Sequence, residues 1–314
     1  MRALQDGTVT PEGVMLTYLP LMMPEPAFRM LHHGEFEAAE MSLSWYARTV
    51  AAERRPFVAI PVFPSRMFRH SSVYVNADSG ITSPEQLRGK RVGCPEYQMT
   101  AAVWMKGILA DRHDVPVESV KYFTGGLEQP GRIEVAMDLP PSIDIQAIPA
   151  DRTLSAMLEV GEIDALYTAH APSSFGGGSG KVVRLWPDSK SVERQYFKDT
   201  GIFPIMHVIV VRQDVYEANR WVAQSLTKAF EQAKTIAYAD LHETTALKYM
   251  LPWLTQAAEE TAELMGDDPF AYGIEANRRT LETFLRYSHE QHLTPRLLSP
   301  DELFAPETLE VSKI

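Results

Sequence analysis

The sequence holds a single cysteine, Cys94, in 314 residues. An intramolecular disulfide is therefore excluded, and a reducing compartment fits. No apolar run approaches the length of a membrane span. The opening stretch Met1–Gly13 lacks the apolar core of a secretory signal. The expectation is a cytoplasmic chain without a membrane partner. Basic residues are in deficit, 30 Lys and Arg against 41 Asp and Glu, for a net charge of −11. That argues against a nucleic-acid partner, although a local arginine cluster can still reverse the field around one small anion. Metal and nucleotide signatures are missing too: there is no HExxH, no HxH pair, no zinc-type Cys/His spacing, no GxSxG elbow, and no GxGxxG or GxxxxGK[ST] loop. The glycine run Phe175–Gly180 lacks the lysine and helix context of a phosphate loop.

What is present reads as a globular α/β protein. Hydrophobic residues make up 45% and charged residues 23%, and the length suffices for two lobes or one large domain. Strands are expected at Val14–Leu19, Phe57–Phe63, Ser72–Asn76, Arg91–Cys94, Val120–Phe123, Ile163–Tyr167, Val182–Leu185 and Phe203–Arg212. Helices are expected at Ala27–His33, Trp45–Ala52, Thr100–Arg112, Leu154–Val160, Glu217–Tyr238, His242–Tyr249, Ala257–Met265 and Ile274–His289. Short strands alternating with helices predict largely parallel sheets. The division expected is residues 1–75 plus 203–314 in one lobe and 76–202 in the other. Ligands of open α/β sheets sit beyond the carboxyl ends of strands, so a cleft between lobes would be walled by such loops.

One such loop draws attention. Pro95-Glu96-Tyr97-Gln98-Met99 joins the strand ending at Cys94 to a helix for which Thr100 is a plausible N-cap. It is polar and aromatic where a connector needs neither, and a helix N-terminus attracts anions. It reads either as a wall for a small acid or as an ordinary βα turn. Cys94 reads as a small apolar strand residue, and Trp104 as core. Arg66, Arg69 and His70 follow a strand end; a guanidinium can clamp a carboxylate, and His70 can exchange a proton near neutral pH. Inter-lobe ion pairing is the competing role for the arginines, and a hinge hydrogen bond for His70. His207, inside an apolar strand, is either a satisfied core residue or a catalyst. Glu96 would serve as an acid if buried, or as an acceptor for a phenol. Tyr97 and Gln98 could bond ring oxygens. Gly125 and Gly126 permit close backbone approach, with Glu128 and Arg132 following, a pair that could equally bridge to each other. His170 follows another strand. Ser42 and Ser44 could bind a carboxylate, N-capping at Trp45 being the simpler role.

The segments SRMFRHSSVYVN, GITSPEQLRGKRVGCPEYQMTAAVWMKGIL, FTGGLEQPGR, DRTLSAMLEVGEIDALYTAHAP and GIFPIMHVIVVR resemble the 4,5-dihydroxyphthalate decarboxylase family. The resemblance runs through nearly the whole chain. It implies a two-lobed type II periplasmic-binding-protein-like fold with a central cleft, and loss of CO₂ from a small aromatic diacid to give protocatechuate. It also implies a strand and polar loop ahead of the segment matching Arg2–Gly13. Such a reaction needs a proton donor at the ring carbon, an acceptor for the phenol and cations for the carboxylates, with no metal or organic cofactor required in principle. His70, His207 and Glu96 are the candidate catalysts. Exposed helical faces near the C-terminus are compatible with a homodimer. Other classes on the same scaffold are a transport receptor that binds a small acid unchanged, or a different lyase or dehydratase.

Overall fold

The computed structural model describes residues 1–52 and 55–309. They fall into two compact units. The first comprises Met1–Arg66, Ile205–Glu282 and the residues from Leu298 on; the second comprises Met67–Pro204 and Thr283–Leu297. The strands are β1 (Ala38–Ser42), β2 (Phe57–Ile60), β3 (Val73–Asn76), β4 (Arg91–Cys94), β5 (Lys121–Thr124), β6 (Ile145–Ala147), β7 (Ala165–Tyr167), β8 (Val182–Arg184) and β9 (His207–Arg212).

In the first unit the sheet runs β1-β9-β2, and both pairings are antiparallel. This departs from the parallel sheet expected, because β9 enters the unit between two strands that run against it. β9 buries four consecutive residues, Val208–Val211, as a strand covered on both faces should. Residues 203–206 precede the ladder, with Ile205 bridged to Arg66 and the Met206 carbonyl accepting from the Leu43 N–H at 3.0 Å. The helix Val222–Leu241 lays Ala223, Leu226, Ala229 and Phe230 into the same core as Ile209 and Val211, with the spacing of an amphipathic helix.

Two expected elements of this unit do not form. Val14–Leu19 carries no ladder; it faces the outer edge of β1 across a cavity of about 670 Å³. Residues 242–249 are not helical either. Leu247 and Tyr249 are exposed there, and a short helix with no buried face is marginal in water.

The second unit holds a sheet in the order β6-β5-β4-β7-β3-β8. β6, β5, β4 and β7 are mutually parallel, while β3 runs antiparallel to β7 and β8. Since β3 pairs only with strands of this unit, the chain crosses at residues 66–67 rather than 75–76. Residues 283–297 also belong here, where Phe284 and Tyr287 pack on Trp104 with ring centroids 5.4 and 5.7 Å away. β6 and the helix Ser189–Thr200 were not foreseen from the sequence.

The helix Thr100–His113 is buried continuously from Thr100 to Leu109, so it is a core helix rather than a surface one. Its approach to Tyr287 depends on Gly107, where a Cβ would overlap the tyrosine ring. Gly107→Ala should therefore destabilise the protein by about 1–3 kcal/mol, the usual cost of overpacking a core, read as an earlier thermal or denaturant transition.

Candidate active site

β4 delivers the chain to Pro95 and then to a tight turn in which the Met99 N–H donates to the Glu96 carbonyl at 3.2 Å. Met99 takes the N-cap position and Thr100 is the first helical residue, so the cap falls one place before Thr100, the residue the sequence suggested for it. Tyr97 turns inward. It is fully buried, stands edge-on to Tyr122 at 5.2 Å, and donates its hydroxyl to the Gln291 carbonyl at 3.4 Å. Its phenol is thus committed to the core rather than offered to a ring oxygen of a ligand. Below it lies Lys106, also buried, with Nζ donating to the Tyr97 carbonyl at 2.7 Å and sitting 3.0 Å from the Tyr97 ring centroid. Burial pulls this ammonium down to about 7 from its ordinary 10.5, with Cys94 and Glu134 opposing the shift. Burial likewise pushes the Cys94 thiol far above its usual range, in keeping with a structural role.

Around the turn stand two carboxyls. Glu96 is ion-paired with Arg132. Glu134 accepts from the Gln98 N–H at 3.2 Å through Oε1, while its Oε2 is buried and has no partner among the described residues. Burial raises the Glu134 carboxyl above its ordinary range and the charge of Glu96 adds to this, against the backbone N–H groups of Tyr97 and Gln98 and the charge of Lys106. Gln98 is fully buried, and neither its Oε1 nor its Nε2 finds a partner among the described residues. Sequence reading missed Glu134 and Lys106. The spacing Arg132-Ile133-Glu134 was the available signal for the first, since alternate residues of an extended segment share a side. A lysine amid Ala, Val, Trp and Met was the signal for the second.

The other candidates of the second unit make different contacts. A Cβ on Gly125 would overlap Ile148 and one on Gly126 would overlap the Gln129 carbonyl, so the close approach these glycines allow is to the chain itself. Glu128 accepts from the Ser173 N–H at 2.7 Å and hydroxyl at 2.6 Å, so its expected bridge to Arg132 does not form. His170 is exposed, its N–H donating to the Thr168 hydroxyl at 3.3 Å. His70 is buried between Trp186 and Tyr196, at 5.2 and 5.1 Å, and burial lowers its pKa to about 4, with His113 adding. Arg69 beside it is buried too; desolvation lowers it to about 10 against the charge of Glu193.

In the first unit, His207 opens β9 and its Nδ1 lies 2.6 Å from Glu40 Oε1 on the neighbouring β1. Ser42 is opposite His207 in register and caps the helix Leu43–Ala51, accepting from the Trp45 N–H at 3.5 Å. Ser44 is fully buried in that helix's first turn. Arg66 donates to the Pro269 carbonyl at 3.0 Å and to Asn277 Oδ1, and burial lowers it to about 10. It fastens the loop before the helix Arg278–Glu290.

No protein-family model matches the chain. A 4,5-dihydroxyphthalate decarboxylase from Comamonas testosteroni is 40% identical over 315 residues, spanning 100% of this chain and 96% of that protein. The chain belongs to the 4,5-dihydroxyphthalate decarboxylase family. It is an enzyme of carbon–carbon cleavage, a carboxy-lyase. A second decarboxylase of the same name, from Pseudomonas putida, is 39% identical over 199 residues, covering 63% of this chain and 77% of that one. The fold is that of periplasmic binding proteins. The aliphatic sulphonate-binding protein of Escherichia coli covers 90% of this chain and 84% of its own at TM-score 0.51 and 13% identity. A sulfonate-binding protein of Methylobacillus flagellatus covers 95% and 82% at TM-score 0.54 and 13% identity. Among the described residues no helix is long and apolar enough to cross a membrane.

Lys106 gives this decarboxylase scaffold a pH signature. The folded chain releases the Lys106 proton at about 7 while the unfolded chain holds it to about 10.5. Between those values the unfolded state binds more protons, so stability falls as pH drops through the window and is flat with respect to this group below it. Lys106→Met removes the dependence. Relative to the wild type it should gain up to a few kcal/mol between pH 9.5 and pH 7, measured by denaturant midpoints.

Proposed function

We propose that the protein removes one carboxyl group of 4,5-dihydroxyphthalate to give protocatechuate and CO₂. The observation that carries this reading is the 40% identity, end to end, with a decarboxylase of that name. The chemistry suits the side chains available. A hydroxyl para to the departing carboxylate lets the ring accept a proton at the carbon bearing it, giving a quinoid species from which CO₂ leaves. Arg69 is the candidate clamp for a carboxylate. His207, oriented by Glu40, is the candidate acceptor for the phenol proton. Glu96 with Arg132, and Gln98, line the loop that receives the ring. His70, Arg66, Ser42, Ser44, Thr100, Gly125, Gly126, Glu128 and His170 stay in the proposed binding set as supports of these groups, with Tyr97 holding the loop from beneath. The same reading includes a cytoplasmic location and catalysis without a metal.

Purified protein incubated with 4,5-dihydroxyphthalate should release CO₂ and protocatechuate in equal amounts, at a rate unchanged after dialysis against EDTA. Binding without turnover by folded protein would favour a transport receptor. Arg69→Met should raise KM about tenfold or more, matching the loss of a charged hydrogen bond of about 1.5–3 kcal/mol. His207→Asn should lower kcat at least tenfold while leaving the thermal transition near that of the wild type; an unchanged rate removes His207 from the mechanism.

A further inference from the structure

Three buried polar atoms with no partner among the described residues gather at the turn before the helix Thr100–His113: Gln98 Oε1, Gln98 Nε2 and Glu134 Oε2. A buried polar atom left unmet is costly, and native folds seldom keep several together. The two residues are joined, since the Gln98 N–H holds Glu134 Oε1. The nearby cation, Arg132, pairs with the other carboxyl, Glu96. Lys106 donates to the Tyr97 carbonyl from below. The arrangement therefore fixes one oxygen of Glu134 and leaves the other without a hydrogen-bonding partner, beside an amide that can donate and accept at once.

We propose that Glu134 is the proton donor of the decarboxylation and that the Gln98 amide holds the ring's adjacent oxygens next to it. This rests on the reading of the protein as a 4,5-dihydroxyphthalate decarboxylase. Glu134 enters the reaction as the carboxylic acid, the form that burial favours. Its proton passes to the ring carbon that carries the departing carboxylate, while the para hydroxyl gives up its proton to a base and feeds electron density into the ring. The carbon–carbon bond to the carboxylate then breaks, its electron pair restores the aromatic ring, and CO₂ leaves. The phenolate regains its proton from the base, and solvent returns one to Glu134, so one proton is consumed per turnover. Gln98 Nε2 donates to one ring oxygen and Oε1 accepts from its neighbour, which suits a vicinal diol and satisfies both orphaned amide atoms, while Glu134 Oε2 carries the proton destined for carbon.

The test compares the wild type with Glu134→Gln, Glu134→Asp and Glu96→Gln, using 4,5-dihydroxyphthalate as the probe. Glu134→Gln should lower kcat about 10²–10⁴-fold, the range for loss of a general acid, with KM changed by only about threefold and the thermal transition retained. In the wild type kcat should decline on the alkaline side as Glu134 ionises. Glu134→Asp should keep partial activity and move that limb, and Glu96→Gln, which removes a charge that helps keep Glu134 protonated, should move it toward lower pH without abolishing turnover. A Glu134→Gln protein whose kcat stays within about threefold of the wild type overturns the assignment. If that variant does not fold, an alkaline limb unmoved in Glu134→Asp overturns it instead. A wild type that binds this diacid but never releases CO₂ defeats the parent reading and this one together; an active wild type with an indifferent Glu134 defeats only this one.

Discussion

A lysine ammonium in an apolar interior is the constraint around which the second unit is arranged. Charge is expensive to bury unless it is hydrogen-bonded, and Lys106 meets that demand with the Tyr97 carbonyl and the face of the Tyr97 ring. The consequence reaches the loop above. Tyr97 cannot turn outward without stranding the ammonium, so the direction of Glu96 and Gln98, its neighbours in sequence, is settled from beneath. A loop following a parallel strand is usually the mobile part of such a fold; this one is anchored from within the core by the helix that follows it.

The first unit shows the same logic with weaker charges. β9 comes in antiparallel between β1 and β2 and brings His207 within 2.6 Å of Glu40. The carboxylate orients the imidazole and selects which nitrogen carries the proton, as a supporting acid does for many functional histidines. Arg66, two residues after Pro64 and last in the first segment of this unit, is held by Pro269 and Asn277 and so ties a distant loop to the end of that segment. Its guanidinium works as a fastener of the backbone.

Much of the framework was legible because its signals are local. The run from Arg91 to Leu109 carries its own periodicity, so strand, turn and helix fell within a residue of where the pattern put them. The role of Ser42 as a helix cap was readable for the same reason. Strand direction was not legible: whether β9 runs with or against its neighbours depends on which strands it enters between, which no window of sequence records. The active-site candidates divide in the same way. Glu96 and Gln98 stand in the loop that chemistry made conspicuous. Glu134 lies 36 residues beyond its loop partner Gln98, in a segment outside strand and helix where the alternation with Arg132 was the one local signal. Tyr97 looked like a ligand contact because its polar tip is visible in sequence while its burial is not.

A fold shared with anion-binding proteins raises a chemical difficulty for a decarboxylase. A helix N-terminus or an arginine set against the carboxylate that must leave would stabilise the starting anion more than the neutral CO₂ it becomes, and uniform or ground-state binding does not lower the barrier. The cation is useful on the carboxylate that stays. Around the one that departs, a dry and uncharged lining is better, with the proton supplied at carbon rather than at oxygen. The turn at Glu96–Met99 sets two carboxyls in different surroundings: Arg132 answers Glu96, while Glu134 keeps a buried oxygen without a hydrogen-bonding partner among the described residues. Two carboxyls at one turn, from separate segments, thereby acquire different characters through their surroundings alone, a familiar way for a single scaffold to separate a charged residue from an acid. Under the proposed assignment, that asymmetry is what the chemistry adds to the fold, without any change in its sheets.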